Sequence, residues 1–113
     1  MDCLIDENII QNMVKDLGEE TSHKLLGFFI VELNESLISL ENAFAISDVE
    51  KIESITHILK NSAALYGASS VATVSKEIND RLCKPPTQLY AEDNQLLGLI
   101  SETLARYNKK YNK

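Results

Sequence analysis

The hardest constraint on this chain is its shortage of residues that interrupt a helix. Its 113 residues include four glycines and two prolines, and the prolines, Pro85 and Pro86, are adjacent. Glycine and proline are the strongest local breakers of regular structure, so their scarcity predicts a few long helices. Between the breakers, apolar residues recur at three-to-four spacing, and no comparable period-two strand pattern appears.

Ile9, Ile10, Met13, Val14 and Leu17 form one such stripe between Asp6, a capping residue, and Gly18, a suitable stop. This predicts a short helix over about residues 7 to 17. The next stretch repeats at Leu26, Phe29, Leu33, Leu37, Leu40 and Phe44, widened by Leu25, Ile30 and Ile38, and reads as one long helix. Gly27 within it costs about 1 kcal/mol relative to alanine unless a neighbouring helix packs closely there. Ser47 and Glu50 have the S-x-x-E spacing of a capping box, predicting a third helix from about residue 48. That helix carries Ile52, Ile55, Leu59, Ala63 and Tyr66 on one face and meets Gly67, a natural left-handed cap. Val71, Val74, Ile78 and Leu82 mark a fourth, which Pro85-Pro86 stops. Leu97, Ile100, Leu104, Tyr107 and Tyr111 mark the last, with Lys109, Lys110 and Lys113 where cations complement the helix dipole.

Short connections favour antiparallel neighbours. The expected fold is therefore all-α, an antiparallel up-down four-helix bundle with an extra short N-terminal helix across one end. Residues 1–113 are expected to form one domain, without a linker, internal repeat or low-complexity segment. The stretch from Lys84 to Asn94 is the only expected long loop.

Seventeen acidic residues against 11 basic ones give a net charge of -6. That field repels phosphate backbones and anionic lipid, so nucleic acid and membrane surfaces are poor partners. The longest apolar run, Leu25 to Val31, is interrupted by Gly27 and falls far short of the roughly 20 residues that span a bilayer. Asp2, Asp6 and Glu7 stand where a secretory signal would be basic, so a cytoplasmic protein is expected. Cys3 and Cys83 show neither CxxC nor zinc-type spacing and are expected to be reduced thiols, with no metal site.

At about 100° per residue, His57 falls opposite the apolar stripe of the third helix. Glu53 and Ser54 lie one turn before it, Lys60 and Asn61 one turn after, and Ala64 two turns after, which makes a patch around the imidazole. An exposed histidine is ordinarily just a surface residue. The run from His57 to Ala68, however, resembles the signature of histidine-containing phosphotransfer domains, the HPt family, commonly H-x-L-K-G-S-A followed by G-A. The matching residues are His57, Leu59, Lys60, Ser62, Ala63, Gly67 and Ala68. Length, acidic character and helix order are similar to those of small stand-alone phosphorelay proteins of the LuxU type, known from bacterial quorum-sensing pathways. The starting methionine favours the stand-alone form. One position departs from the family: its usual glycine, four residues after the histidine, is Asn61 here. The larger side chain bears on how closely a partner approaches, or donates to a phosphoryl oxygen.

The resemblance implies that His57 accepts a phosphoryl group from the aspartyl phosphate of a response-regulator receiver domain, including one within a hybrid sensor kinase, and passes it to another. The partner receiver would supply Mg²⁺ and acidic residues, and this chain would need no cofactor of its own. An imidazole with the ordinary pKa of about 6.5 is largely neutral near pH 7 and is a competent nucleophile. Lys60 is expected to offset the phosphoryl charge. Ser54, Asn61, Ala64 and Glu53 surround the docking position, with Glu53 read as solvated surface. Ser62 and Ala63 are expected as small packing residues, and Gly67 as a backbone device. His23 has no motif around it and is expected at the surface or half-buried, while Tyr66, Tyr107 and Tyr111 suit core edges or bundle ends.

A monomer is expected because the site needs an open face. The chain reads as a transferase component and not a stand-alone enzyme, because no nucleophile-and-carboxylate constellation or glycine-rich phosphate loop accompanies His57. The principal rival is a non-phosphorylated helical module that binds and regulates a receiver. A sensor-kinase dimerisation domain fits badly, because it typically has an acidic residue where Ile58 stands and a proline near Ser62.

Overall fold

The computed structural model describes residues 4–85 and 87–111. Asp2, Cys3, Pro86 and Lys113 lie outside the described residues, as does the Tyr111 side chain. Five helices follow one another: α1 (Glu7–Leu17), α2 (Glu19–Ala45), α3 (Val49–Leu65), α4 (Ser69–Leu82) and α5 (Gln95–Tyr111), the last preceded by a 3₁₀ turn at Ala91–Asn94. No strand occurs among the described residues. Helix α2 packs on α3 and α5, α3 on α4, and α4 on α5, which closes a four-helix bundle, with α1 set against α2.

The core is the union of the predicted stripes. Phe29, Leu33, Leu40, Ile52, Leu59, Ile100 and Tyr107 are all less than 2% exposed. Complete burial of each such side chain stabilises the fold by about 1.5–3 kcal/mol. Tyr107 belongs to this core and not to its edge. Its hydroxyl donates to the Tyr66 carbonyl at 2.8 Å, and Phe29 stacks on Tyr66 with ring centroids 4.8 Å apart. Two stripe assignments shift. Leu96, and not the half-buried Leu97, leads the core face of α5, and Ile38 of α2 is 53% exposed. Gly27 has no neighbour within 4 Å of the position a Cβ would occupy, so no close helix contact offsets its cost.

The turns explain the remaining differences. Asp6 caps α1 as predicted, accepting from the Asn8 amide. Ser47 does not cap α3, because it is already committed to ending α2. It holds a φ of 54°, its amide donates to the Phe44 carbonyl at 3.3 Å, and the Asp48 amide donates to the Ala43 carbonyl at 2.8 Å. This is the paired closure of a Schellman turn. A residue in the left-handed region cannot also take the extended geometry of an N-cap. Asp48 does so instead, its carboxylate accepting from the Lys51 amide at 3.1 Å.

Helix α3 ends by the same device, with Gly67 at φ 86°, Gly67 N–H donating to Ala64 O, and Ala68 N–H donating to Ala63 O. Glycine is required twice over there, since a Cβ would also sit 3.0 Å from the Asp6 carbonyl oxygen. The Asp6 amide donates to the Gly67 carbonyl at 2.7 Å, so the start of α1 is tied to the end of α3.

The stretch from Lys84 to Asn94 is more ordered than a plain loop. Arg81 pairs through both guanidinium nitrogens with the buried Asp93 and stacks 4.3 Å over the Tyr90 ring. Asp93 also accepts from the Tyr90 amide at 2.9 Å, which fixes the 3₁₀ turn leading into α5.

Candidate functional site

Helix α3 presents two rows beside its core face. The outer row is Ser54, His57, Asn61 and Ala64, all exposed as the periodicity predicts. Ile58 and Leu65, 54% and 65% exposed, continue this surface on the side away from α4. Ile58 lines a shallow groove with Glu32, Glu35, Ser36 and Ser39 of α2.

The second row, Glu53, Thr56 and Lys60, turns toward α4 and meets Asn79, which is 1% exposed. The Asn79 amide nitrogen donates to the Glu53 carbonyl at 2.9 Å and to the Thr56 hydroxyl at 3.3 Å. Its amide oxygen accepts from the Lys60 ammonium at 3.0 Å. Thr56 in turn donates back along α3 to the Ile52 carbonyl at 2.8 Å. Lys60 is thus an anchored side chain and not a solvated one.

Glu53 departs from its reading as solvated surface. It is half-buried, its backbone carbonyl is taken by Asn79, and its carboxylate lies 3.9 Å from the Cys83 thiol. Asn61 folds its amide back toward the His57 carbonyl, a long contact of 3.5 Å on the helix's own surface. Ala63 is fully buried, and Ser62 is half-buried with its hydroxyl unpaired, in keeping with small packing residues. His23 is exposed near the start of α2, beside Ile10, Val14 and Leu26 and remote from this constellation in the chain. No cluster of three potential metal ligands occurs among the described residues, and no helix among them is long and apolar enough to cross a membrane.

Sequence reasoning passed over Asn79 and Thr56. The available signal was that Asn79 shares the apolar face of α4, with Ser75, Ile78 and Leu82 at helical spacing. A side-chain amide on a core stripe is ordinarily hydrogen-bonded there.

Chemically, the arrangement is an accessible imidazole with a held cation one helical turn away. Such a site suits transfer to and from a macromolecular partner that brings the rest of the machinery. Residues 24–107 match the Hpt domain family. The chain therefore belongs to that family, and its function is histidine phosphotransfer in a phosphorelay. Among characterised relatives, it is 30% identical to the phosphorelay protein LuxU of Vibrio cholerae serotype O1, over 92% of this chain and 93% of that protein. It is also 30% identical to the phosphorelay protein LuxU of Vibrio vulnificus, over 69% of this chain and 68% of that protein. No solved structure is a match.

Proposed function

We propose that His57 is the phosphoryl carrier of this chain, receiving the group from the aspartyl phosphate of one response-regulator receiver domain and delivering it to another. One observation carries this reading. The chain has two histidines, and His57 is the one inside the matched family region, on an exposed helix face.

The neutral imidazole donates a nitrogen lone pair to phosphorus. The N–P bond forms as the P–O bond to the aspartyl carboxylate breaks, and the carboxylate leaves with the electron pair. Return transfer to a second receiver reverses these bonds. The receiver brings Mg²⁺ and its acidic residues, while this chain contributes the nucleophile and the Lys60 ammonium that offsets phosphoryl charge. Ser54, Asn61 and Ala64, with exposed Ile58 and Leu65 alongside, form the surface on which the receiver sits, and Glu53 borders it. A hybrid sensor kinase is a suitable donor, and a cytoplasmic monomer leaves this face open. A place in quorum sensing fits the LuxU relatives.

The test mixes the protein with phosphorylated receiver domains and Mg²⁺, follows acid-labile phosphate and locates it by mass spectrometry. Label on His57 that moves to a second receiver is the expected result. A receiver that binds without transferring phosphate would replace the relay with a non-phosphorylated regulatory module.

A further inference from the structure

We propose that Asn79 is a positioning residue for phosphotransfer: it holds the Lys60 ammonium, one helical turn from His57, through a neutral acceptor that keeps the cation in place without itself cancelling the charge. The proposal rests on His57 being the phosphoryl carrier and assigns to α4 a part in a site otherwise built on α3.

A lysine side chain carries about 2 kcal/mol of rotamer entropy and does not hold a position beside a solvent-exposed site unaided. Lys60 is half-buried and turned toward α4, where its Nζ meets Asn79 Oδ1 at 3.0 Å. Asn79 is itself fixed. It is 1% exposed, and its amide nitrogen makes two bonds to α3, to Glu53 O at 2.9 Å and Thr56 Oγ1 at 3.3 Å. Those bonds decide which way the amide points. Exchanging its oxygen and nitrogen would set the amide oxygen against the Glu53 carbonyl oxygen and an amide N–H₂ against an ammonium. The oxygen must therefore face Lys60.

The neutrality of that acceptor matters. A carboxylate at residue 79 would grip Lys60 more tightly, but it would also neutralise the charge that a phosphoryl group needs. The amide oxygen occupies one of the three ammonium protons and leaves two to donate. Thr56, adjacent to His57 in the chain, belongs to the same network, so the carrier and its cation are braced against one buried side chain of the neighbouring helix.

The experiment is a double-mutant cycle on the transfer rate from a phosphorylated receiver domain in Mg²⁺, with Lys60→Ala, Asn79→Ala and the double variant in the full chain. Each single variant is expected to slow transfer about tenfold, as loss of one hydrogen bond to a charged group does. If Asn79 acts through Lys60, the double variant is no slower than Lys60→Ala alone. Rates that multiply, or an Asn79→Ala protein that transfers like the parent, overturn the proposal and leave His57 as the carrier. Lys60→Ala at the parent rate also overturns it.

A second measurement covers the case in which Asn79→Ala does not fold. In the parent protein, the Lys60 ammonium should be ordered by NMR relaxation, unlike that of the exposed Lys51; equal mobility of the two overturns the clamp. A parent protein that takes no phosphate at all is a different failure, which removes the His57 reading and the positioning role with it.

Discussion

Toward α4, the helix that carries His57 is fastened by buried hydrogen bonds through Thr56, Asn79 and Lys60, whereas its opposite side, where exposed Ile58 borders the groove lined by Glu32, Glu35, Ser36 and Ser39 of α2, is open. The fastened side is specific. The Asn79 amide is satisfied at both its nitrogen and its oxygen, so one substitution leaves a buried group unsatisfied. The open side is permissive, since exposed Ile58 and Leu65 gain by being covered and require no particular geometry of whatever covers them. A phosphotransfer domain that must meet more than one receiver benefits from this division. On the proposed reading, the Lys60 charge stays put while the surface around Ile58 and Leu65 tolerates different partners.

Four substitutions break or sharpen that contrast. His57→Ala should abolish phosphate acceptance while leaving helical circular dichroism intact and stability within about 0.5 kcal/mol of the parent, as expected outside the core; cooperative loss of the helical signal would show that the outer row bears on the fold. Ile58→Asp, on the open side, should weaken association with a receiver about tenfold by calorimetry, with no change in melting. Unchanged affinity would take the α2-side edge out of the docking surface. Thr56→Val, on the fastened side, removes an acceptor of Asn79 and should cost about 1 kcal/mol in denaturant unfolding, with receiver affinity retained.

The smallest effect is expected from the fully exposed Lys76–Asp80 pair on α4, at 2.9 Å. The hydrogen bond from Lys76, opposed by desolvation and aided by the charges of Lys76, Lys60 and Lys84, holds the Asp80 carboxyl below its ordinary value. Any stabilisation from this group is present above the ordinary carboxyl pKa of about 3.9 and is lost as pH falls through the lowered one. Lys76→Met should move the Asp80 titration upward by NMR and leave thermal melting near neutral pH unchanged.

Most of the helical architecture was legible because amphipathic spacing is written locally, residue by residue, and α1 spans the predicted stretch. His57 was legible for the complementary reason: a polar residue opposite an apolar stripe has only solvent to face. What escaped depends on contacts between distant segments. The capping-box spacing at Ser47 is real, but α2 needs a left-handed residue at that point, and Asp48 one position later serves as the cap. The rotation of α5 that buries Leu96 in preference to Leu97 follows the 3₁₀ turn, itself held by an Arg81–Asp93 pair with no local signature. Asn79 looked like an interruption of a stripe until α3 supplied its partners.

The Asp6–Gly67 hydrogen bond carries a practical consequence. Its donor precedes the first helix and its acceptor lies in the turn that ends α3, so this amide is sheltered by the junction itself. Hydrogen–deuterium exchange at Asp6 therefore reads the opening of that junction, separately from fraying of either helix. One backbone proton, followed with and without a bound receiver, serves as a gauge of whether docking at His57 is felt at the far end of its helix.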